Sequence, residues 1–168
     1  MTEIHHLEPV LRDATGDLAL RRAAEDDSEY AFAMRKAAFR VYVEKSGGWD
    51  ERKERQRHER NFTLYDYRVI RFQAVDRGIM TLDLTGDRLK LNQIFLAPEH
   101  QGLGIGERCM AILFVESRRL SLPIQLRVMK VNPRARVLYE RLGFAVIGDT
   151  ETHVLMQWKP GRGGLRLV

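Results

Sequence analysis

Three glycines, Gly102, Gly104 and Gly106, fall within five residues of "NQIFLAPEHQGLGIGERCMAIL" (92–113). They stand where an apolar, strand-like run breaks at Pro98 and a helical pattern begins. A helix N-terminus exposes N–H groups and carries partial positive charge. Glycines at that point let a phosphate reach the backbone without meeting a Cβ. The stretch therefore predicts an anion site, though of neither familiar kind. No Gly-Lys-Ser/Thr follows, so it is not a Walker loop, and the spacing is not Gly-x-Gly-x-x-Gly. What it reads is Gln101-x-x-Gly104-x-Gly106, which taken alone also suits a tight glycine-rich turn.

A second chemical cluster lies about thirty residues on, in "VNPRARVLYERLGF" (131–144). Asn132 precedes Pro133, and an asparagine there is a ready helix N-cap. Tyr139 shares an inward helix face with Ala135, Leu138 and Leu142, and a buried tyrosine hydroxyl needs a partner. Cys109, just past the glycines on an apolar helix, reads as a core thiol.

The elements that must position these groups can be outlined from periodicity. "DLALRRA" (17–23) alternates as a strand, and 28–45 follows as an amphipathic helix with Asp26 or Asp27 as N-cap. Residues 50–60 form a charged, solvated helix capped by Asp50, with Glu51–Arg55 and Glu54–His58 at i,i+4. "YRVIRFQAV", "IMTLDL" and "RLKLNQIFL" make a three-stranded meander, turning at "DRG" and at Gly86-Asp87 as a type II′ hairpin. A helix over 107–120, a strand over 123–131, a helix from Pro133 ended by Gly143, and a closing hairpin about Gly148-Asp149 complete the chain.

At 168 residues this is one domain, expected over 17–158, with an irregular extension at 1–16 and a basic tail at 159–168 carrying Lys159, Arg162 and Arg166. One cysteine allows neither an internal disulfide nor a cysteine-rich metal site, and no metal is expected. No run is apolar enough to span a membrane, and the N-terminus lacks a signal-peptide pattern, so a cytoplasmic protein is expected. The net charge of +5 is mixed along the chain, which argues against nucleic-acid binding.

The two motifs, Gln101-x-x-Gly104-x-Gly106 and Asn132-x-x-Ala135-x-x-x-Tyr139-x-x-x-Gly143-Phe144, together resemble the GCN5-related N-acetyltransferase (GNAT) superfamily. The segment "YVEKSGGWDERKERQRHERNF" (42–62) also resembles a subgroup with Trp-Gly-Trp-Asp after the first helix. Here Gly47 replaces the first tryptophan and Gly48-Trp49-Asp50 match. The resemblance implies an α/β (α+β) GNAT-like fold, a mixed and mostly antiparallel sheet of about seven strands flanked by four helices. It implies transfer of an acetyl group from acetyl-CoA to an amine acceptor by direct attack on the thioester. It also allows a homodimer. A non-catalytic module that binds or senses acyl-CoA is the alternative.

By this resemblance, the amides of Gly102, Leu103, Gly104, Ile105 and Gly106 hold the CoA pyrophosphate, and Gln101 shapes the loop. The strand Ile94–Phe95–Leu96 binds the pantetheine arm where two strands splay, and an N–H at Phe95 or Leu96 polarises the thioester carbonyl. Asn132 bonds the arm or the amine path. Tyr139, protonated at neutral pH with an ordinary pKa near ~10, is the general acid to the departing thiolate. The amine must lose a proton. Glu44 is the candidate general base, with Asp50 beside it; Gln93 would order a water, and His58 and His153 are weaker candidates.

Overall fold

The computed structural model describes residues 6–161. Eight strands form one sheet: β1 (Val10–Arg12), β2 (Leu18–Arg22), β3 (Asp66–Phe72), β4 (Val75–Leu84), β5 (Leu89–Leu96), β6 (Ile124–Met129), β7 (Ala145–Asp149) and β8 (His153–Trp158). Their spatial order is β1-β2-β3-β4-β5-β6-β8-β7. Only the β5–β6 pair is parallel, because a helical crossover must join them. The four helices are α1 (Ser28–Lys45), α2 (Glu51–Leu64), α3 (Ile105–Leu120) and α4 (Pro133–Arg141). The mixed, mostly antiparallel architecture is the one expected. The start of the N-terminal extension, residues 1–5, and the basic tail from residue 162 on lie outside the described residues.

Alternation on the strands divides the apolar side chains between two faces. Leu18, Leu20, Ile70, Met80, Leu82, Leu89, Leu91 and Ile124 pack with Ile105, Cys109, Met110 and Leu113 of α3, forming the larger core. On the other face, Ala31 of α1 packs with Tyr67, Ile79 and Phe95. Burial of the apolar residues of α3 supplies its stability, at roughly 25 cal/mol per Å² removed from water.

Several local expectations are corrected. The segment before residue 17 is not wholly irregular: Val10–Arg12 pairs with Ala19–Arg21, a strand too short to show a period. The first turn of the meander is Gln73-Ala74, both at positive φ (51° and 62°), not "DRG". Two αL residues match the right-handed twist of a hairpin, but neither is a usual turn former. Gly78 instead lies inside β4, where a Cβ would collide with the Phe95 carbonyl oxygen. The second turn is not type II′, since Gly86 lacks the positive φ that turn requires; Thr85 N–H donates to Arg88 O at 3.0 Å and Thr85 Oγ1 donates to Asp87. The closing hairpin turns at 150–152, after Asp149. Asp27 precedes α1 but caps the Ala24 N–H and pairs with Arg21, whereas Asp50 caps α2 by accepting from Lys53 N–H.

Two irregularities open the sheet. The β4–β5 register pairs Thr81 with Gln93 but Leu82 with Leu91, leaving Asn92 as an extra, bulged residue. Beyond that point β5 has no partner on its far side, because β5 and β6 pair only over Leu89–Leu91 and Ile124–Leu126.

Candidate active site

A cleft of about 1100 Å³ runs through this opening, from the head of α3 on one face of the sheet to α1 and α2 on the other. Its first half is mostly main chain. Gly102 and Gly104 are held at φ 74° and 78°, a region costly for other residues. Gly104 directly precedes α3, so the first-turn N–H groups after it have no helical partner. Gly106 lies within that turn, where a Cβ would stand 4.0 Å from the Leu96 side chain. Gln101 shapes the loop by donating from Nε2 to Leu96 O at 3.1 Å. All these residues except Leu103, which is exposed, line the cleft.

The bare edge of β5 has a definite orientation. Ala97 N–H donates to Arg77 O of β4, and the Phe95 carbonyl also faces β4 at Gly78. Alternation then turns the polar groups of Ile94 and Leu96 toward the gap. Of the two candidate donors to a bound carbonyl, Leu96 is the one whose N–H faces the opening.

Tyr139 and Asn132 line the same cleft from α4. Tyr139 is buried, its ring edge-on to Phe144 at 5.6 Å. Burial pushes its hydroxyl up to about 12, with Cys109 adding to the shift, so it remains a proton donor at neutral pH. Asn132 Oδ1 accepts from Ala135 N–H at 3.2 Å, which makes it the N-cap of α4 as well as a cleft residue. Cys109 is fully buried. Its thiol is pushed up to about 12 by burial, and only a thiolate is a strong nucleophile.

The second half of the cleft is made of side chains brought together by register. Tyr67, Thr81 and Gln93 are direct partners across β3, β4 and β5. Thr81 Oγ1, Gln93 Oε1 and the Nδ2 of bulged Asn92 are enclosed and make no hydrogen bond. Burial raises the Tyr67 phenol, with the nearby Thr81 hydroxyl opposing that shift. Above the row, Arg35 Nη2 donates to Glu54 at 2.5 Å, with the two side chains 6% and 8% exposed. The Arg35 guanidinium also lies 4.9 Å from the Phe39 ring and 5.9 Å from that of Trp49. The helix expected to be solvated thus has a buried side.

Other candidates fall elsewhere. Glu44 does not line the cleft: it is exposed on α1 and accepts from Arg40 Nε at 2.7 Å. Its i,i+4 partner on the solvent face draws it outward. Asp50 is likewise exposed and caps α2. Buried His58 meets Ser28 Oγ through Nε2 at 3.0 Å, and burial lowers its pKa. His153 does line the cleft; burial and the charge of Arg127 lower its pKa. Gly47, at the place of the first tryptophan, sits at φ 141°, where a tryptophan would be strained, and Trp49 Nε1 donates to Glu51 at 2.8 Å. Arg35, Tyr67, Thr81, Lys90 and Arg127 carry no signal as site residues in the sequence, since only strand register and the packing of α1 on the sheet unite them. Among the described residues no group of three or more His, Cys, Asp or Glu could hold a metal, and no helix is long and apolar enough to cross a membrane.

A family model described as an acetyltransferase (GNAT) domain matches residues 62–146. No curated protein matches the sequence. Among solved structures, PaiA N-acetyltransferase from Thermoplasma acidophilum, in complex with coenzyme A, shares 14% identity over 84% of this chain and 98% of its own, with a TM-score of 0.67. An acetyltransferase from Thermus thermophilus shares 15% over 84% of this chain and 96% of its own, at 0.70. The ribosomal-protein-S18-alanine N-acetyltransferase from Escherichia coli shares 18% over 90% and 99%, at 0.67. At such identities these are likenesses of fold.

Proposed function

The chain belongs to the GNAT acetyltransferase family, and from that premise we propose that it transfers the acetyl group of acetyl-CoA to a primary amine by direct attack. The observation that carries this reading is the opening between β5 and β6, with a helix N-terminus at one end and a buried, protonated tyrosine in its wall. A pantetheine arm is an extended chain able to add to the bare edge of β5. Glycine backbone at the head of α3 suits a pyrophosphate.

In this reading the N–H groups from Gly102 to Gly106 hold the pyrophosphate, and Ile94 and Leu96 bond the arm. The Leu96 N–H polarises the thioester carbonyl, where preorganised donors stabilise developing charge. The ammonium gives up one proton to water ordered by Gln93, its nitrogen then forms a bond to the carbonyl carbon, and the second proton of that nitrogen leaves to the same water. The carbon–sulfur bond then breaks, Tyr139 donates its proton to sulfur, and solvent restores the phenol. Cys109 takes no part, because a buried thiol held near 12 is not a thiolate at neutral pH. The test is release of CoA thiol from acetyl-CoA with a broad panel of amines. Acetylated product with stoichiometric CoA is expected, and neither appearing across the panel would overturn the reading.

A further inference from the structure

Charge along the cleft is one-sided. On the half covered by α1 and α2 the wall carries Arg57, Lys90 and Arg127, and no acid lines that half among the described residues. The cleft's single acid, Glu107, stands near the head of α3 and pairs with Arg141. Arg35 is neutralised by Glu54, which also draws Arg57 to 3.6 Å. Lys90 and Arg127, by contrast, belong to none of the ion pairs formed among the described residues. Asp83 is the cross-strand partner of Lys90 but neither pairs with it nor lines the cleft.

Register puts the two cations together. Lys90 alternates with core residues Leu89 and Leu91, and Arg127 alternates with Leu126 and Val128. Both therefore face away from the larger core. Lys90 pairs with Gln125, two residues before Arg127, so they are diagonal neighbours where β5 and β6 begin to part. Further along the same face stand Thr81 Oγ1, next to the Tyr67 phenol, and Gln93 Oε1, enclosed and without a partner. An enclosed amide oxygen is costly to leave unbonded and calls for an N–H donor. Gln93 is three residues from Lys90, roughly 10 Å of strand.

We propose that the acceptor is a primary amine carrying an anionic group several bonds from its nitrogen, the amine directed by Thr81 and Gln93 and the anion by Lys90 and Arg127. This rests on the acetyl-transfer reading above. A cationic far end would meet two like charges that no ion pair occupies, which disfavours polyamines as acceptors.

The experiment compares CoA release with ω-amino carboxylates, from 3-aminopropanoate to 6-aminohexanoate, against their amides and the matching diamines. The expected kcat/KM for the best carboxylate exceeds that of its amide by roughly tenfold or more, with the diamine lowest. Replacing Lys90→Gln and Arg127→Gln together should raise KM for the carboxylate toward that of the amide, so that the ratio of the two kcat/KM values falls toward one. An amide or diamine used equally well or better, or a preference that survives the double substitution, overturns the inference. So does a protein that binds acetyl-CoA by calorimetry and acetylates only amines without an anion, or none of the series. Failure to bind acetyl-CoA at all is a separate result, which sinks the transfer reading and this inference with it.

Discussion

On the side of the cleft proposed to hold the donor, the polar groups come from main chain: the glycine loop before α3 and the bare edge of β5. On the acceptor side they come from side chains of α1, β3, β4 and β5, with Tyr67, Thr81 and Gln93 in one cross-strand row and Arg35 locked to Glu54 above it. Main-chain donors depend on backbone conformation and on little else. Side-chain contacts depend on residue identity and on packing from distant parts of the chain. In the reading proposed above, the donor half can stay constant while the acceptor half changes, so that one fold can serve different acceptors.

Tyr139 is where the two halves meet, and its removal should have the largest effect. Tyr139→Phe is expected to lower kcat by on the order of 10²–10⁴-fold while acetyl-CoA affinity, read by calorimetry, stays close to wild type. Unchanged turnover would take the acid role from Tyr139. Gly104→Glu attacks the donor half alone. It forces a side chain into φ 78° and sets a carboxylate where the pyrophosphate would bind, so acetyl-CoA affinity should fall by roughly 100-fold or more. Retained affinity would show that the loop does not hold phosphate.

Glu54→Ala tests the acceptor half. It strands a buried guanidinium, and denaturant unfolding should report a loss of about 3–5 kcal/mol. The folded variant should still bind acetyl-CoA, since Arg35 and Glu54 lie across the sheet from the loop. A loss below about 1 kcal/mol would mean that Arg35 is satisfied without its partner.

The smallest effects concern pH. Burial lowers the His58 pKa from 6.5, so the unfolded chain takes up a proton that the folded one refuses. Stability should fall as pH drops below 6.5, and His58→Phe should flatten that slope. At the buried thiol and phenol the signs reverse. Cys109 and Tyr139, raised from 9.0 and 10.0 to about 12, keep protons that the unfolded chain releases. Stability should decline from pH 9 toward 12. Unfolding curves across both ranges would check each slope.

Legibility follows the same divide. The strand and helix order from β2 onward, the N-caps Asp50 and Asn132, and the glycine loop can all be read locally. Glu44 is a plausible base in sequence because it flanks the loop after α1, yet its direction is set by the helix face and by Arg40. Gly78 reads as a turn residue because glycine usually marks one; only the close passage of β5 shows why it lies in a strand. Gln73 and Ala74 carry a left-handed turn that their residue types do not announce.

By itself the sequence determined where the chain is extended or helical and where its backbone must stay accessible, because periodicity, capping and glycine act within a few residues. The tertiary structure decided that β5 and β6 part after three paired residues, that Leu96 faces the gap, and that Lys90, Arg127, Thr81 and Gln93 share one wall. Those facts depend on strand register and a bulge, which join residues far apart in the chain and leave no periodic trace in any one segment.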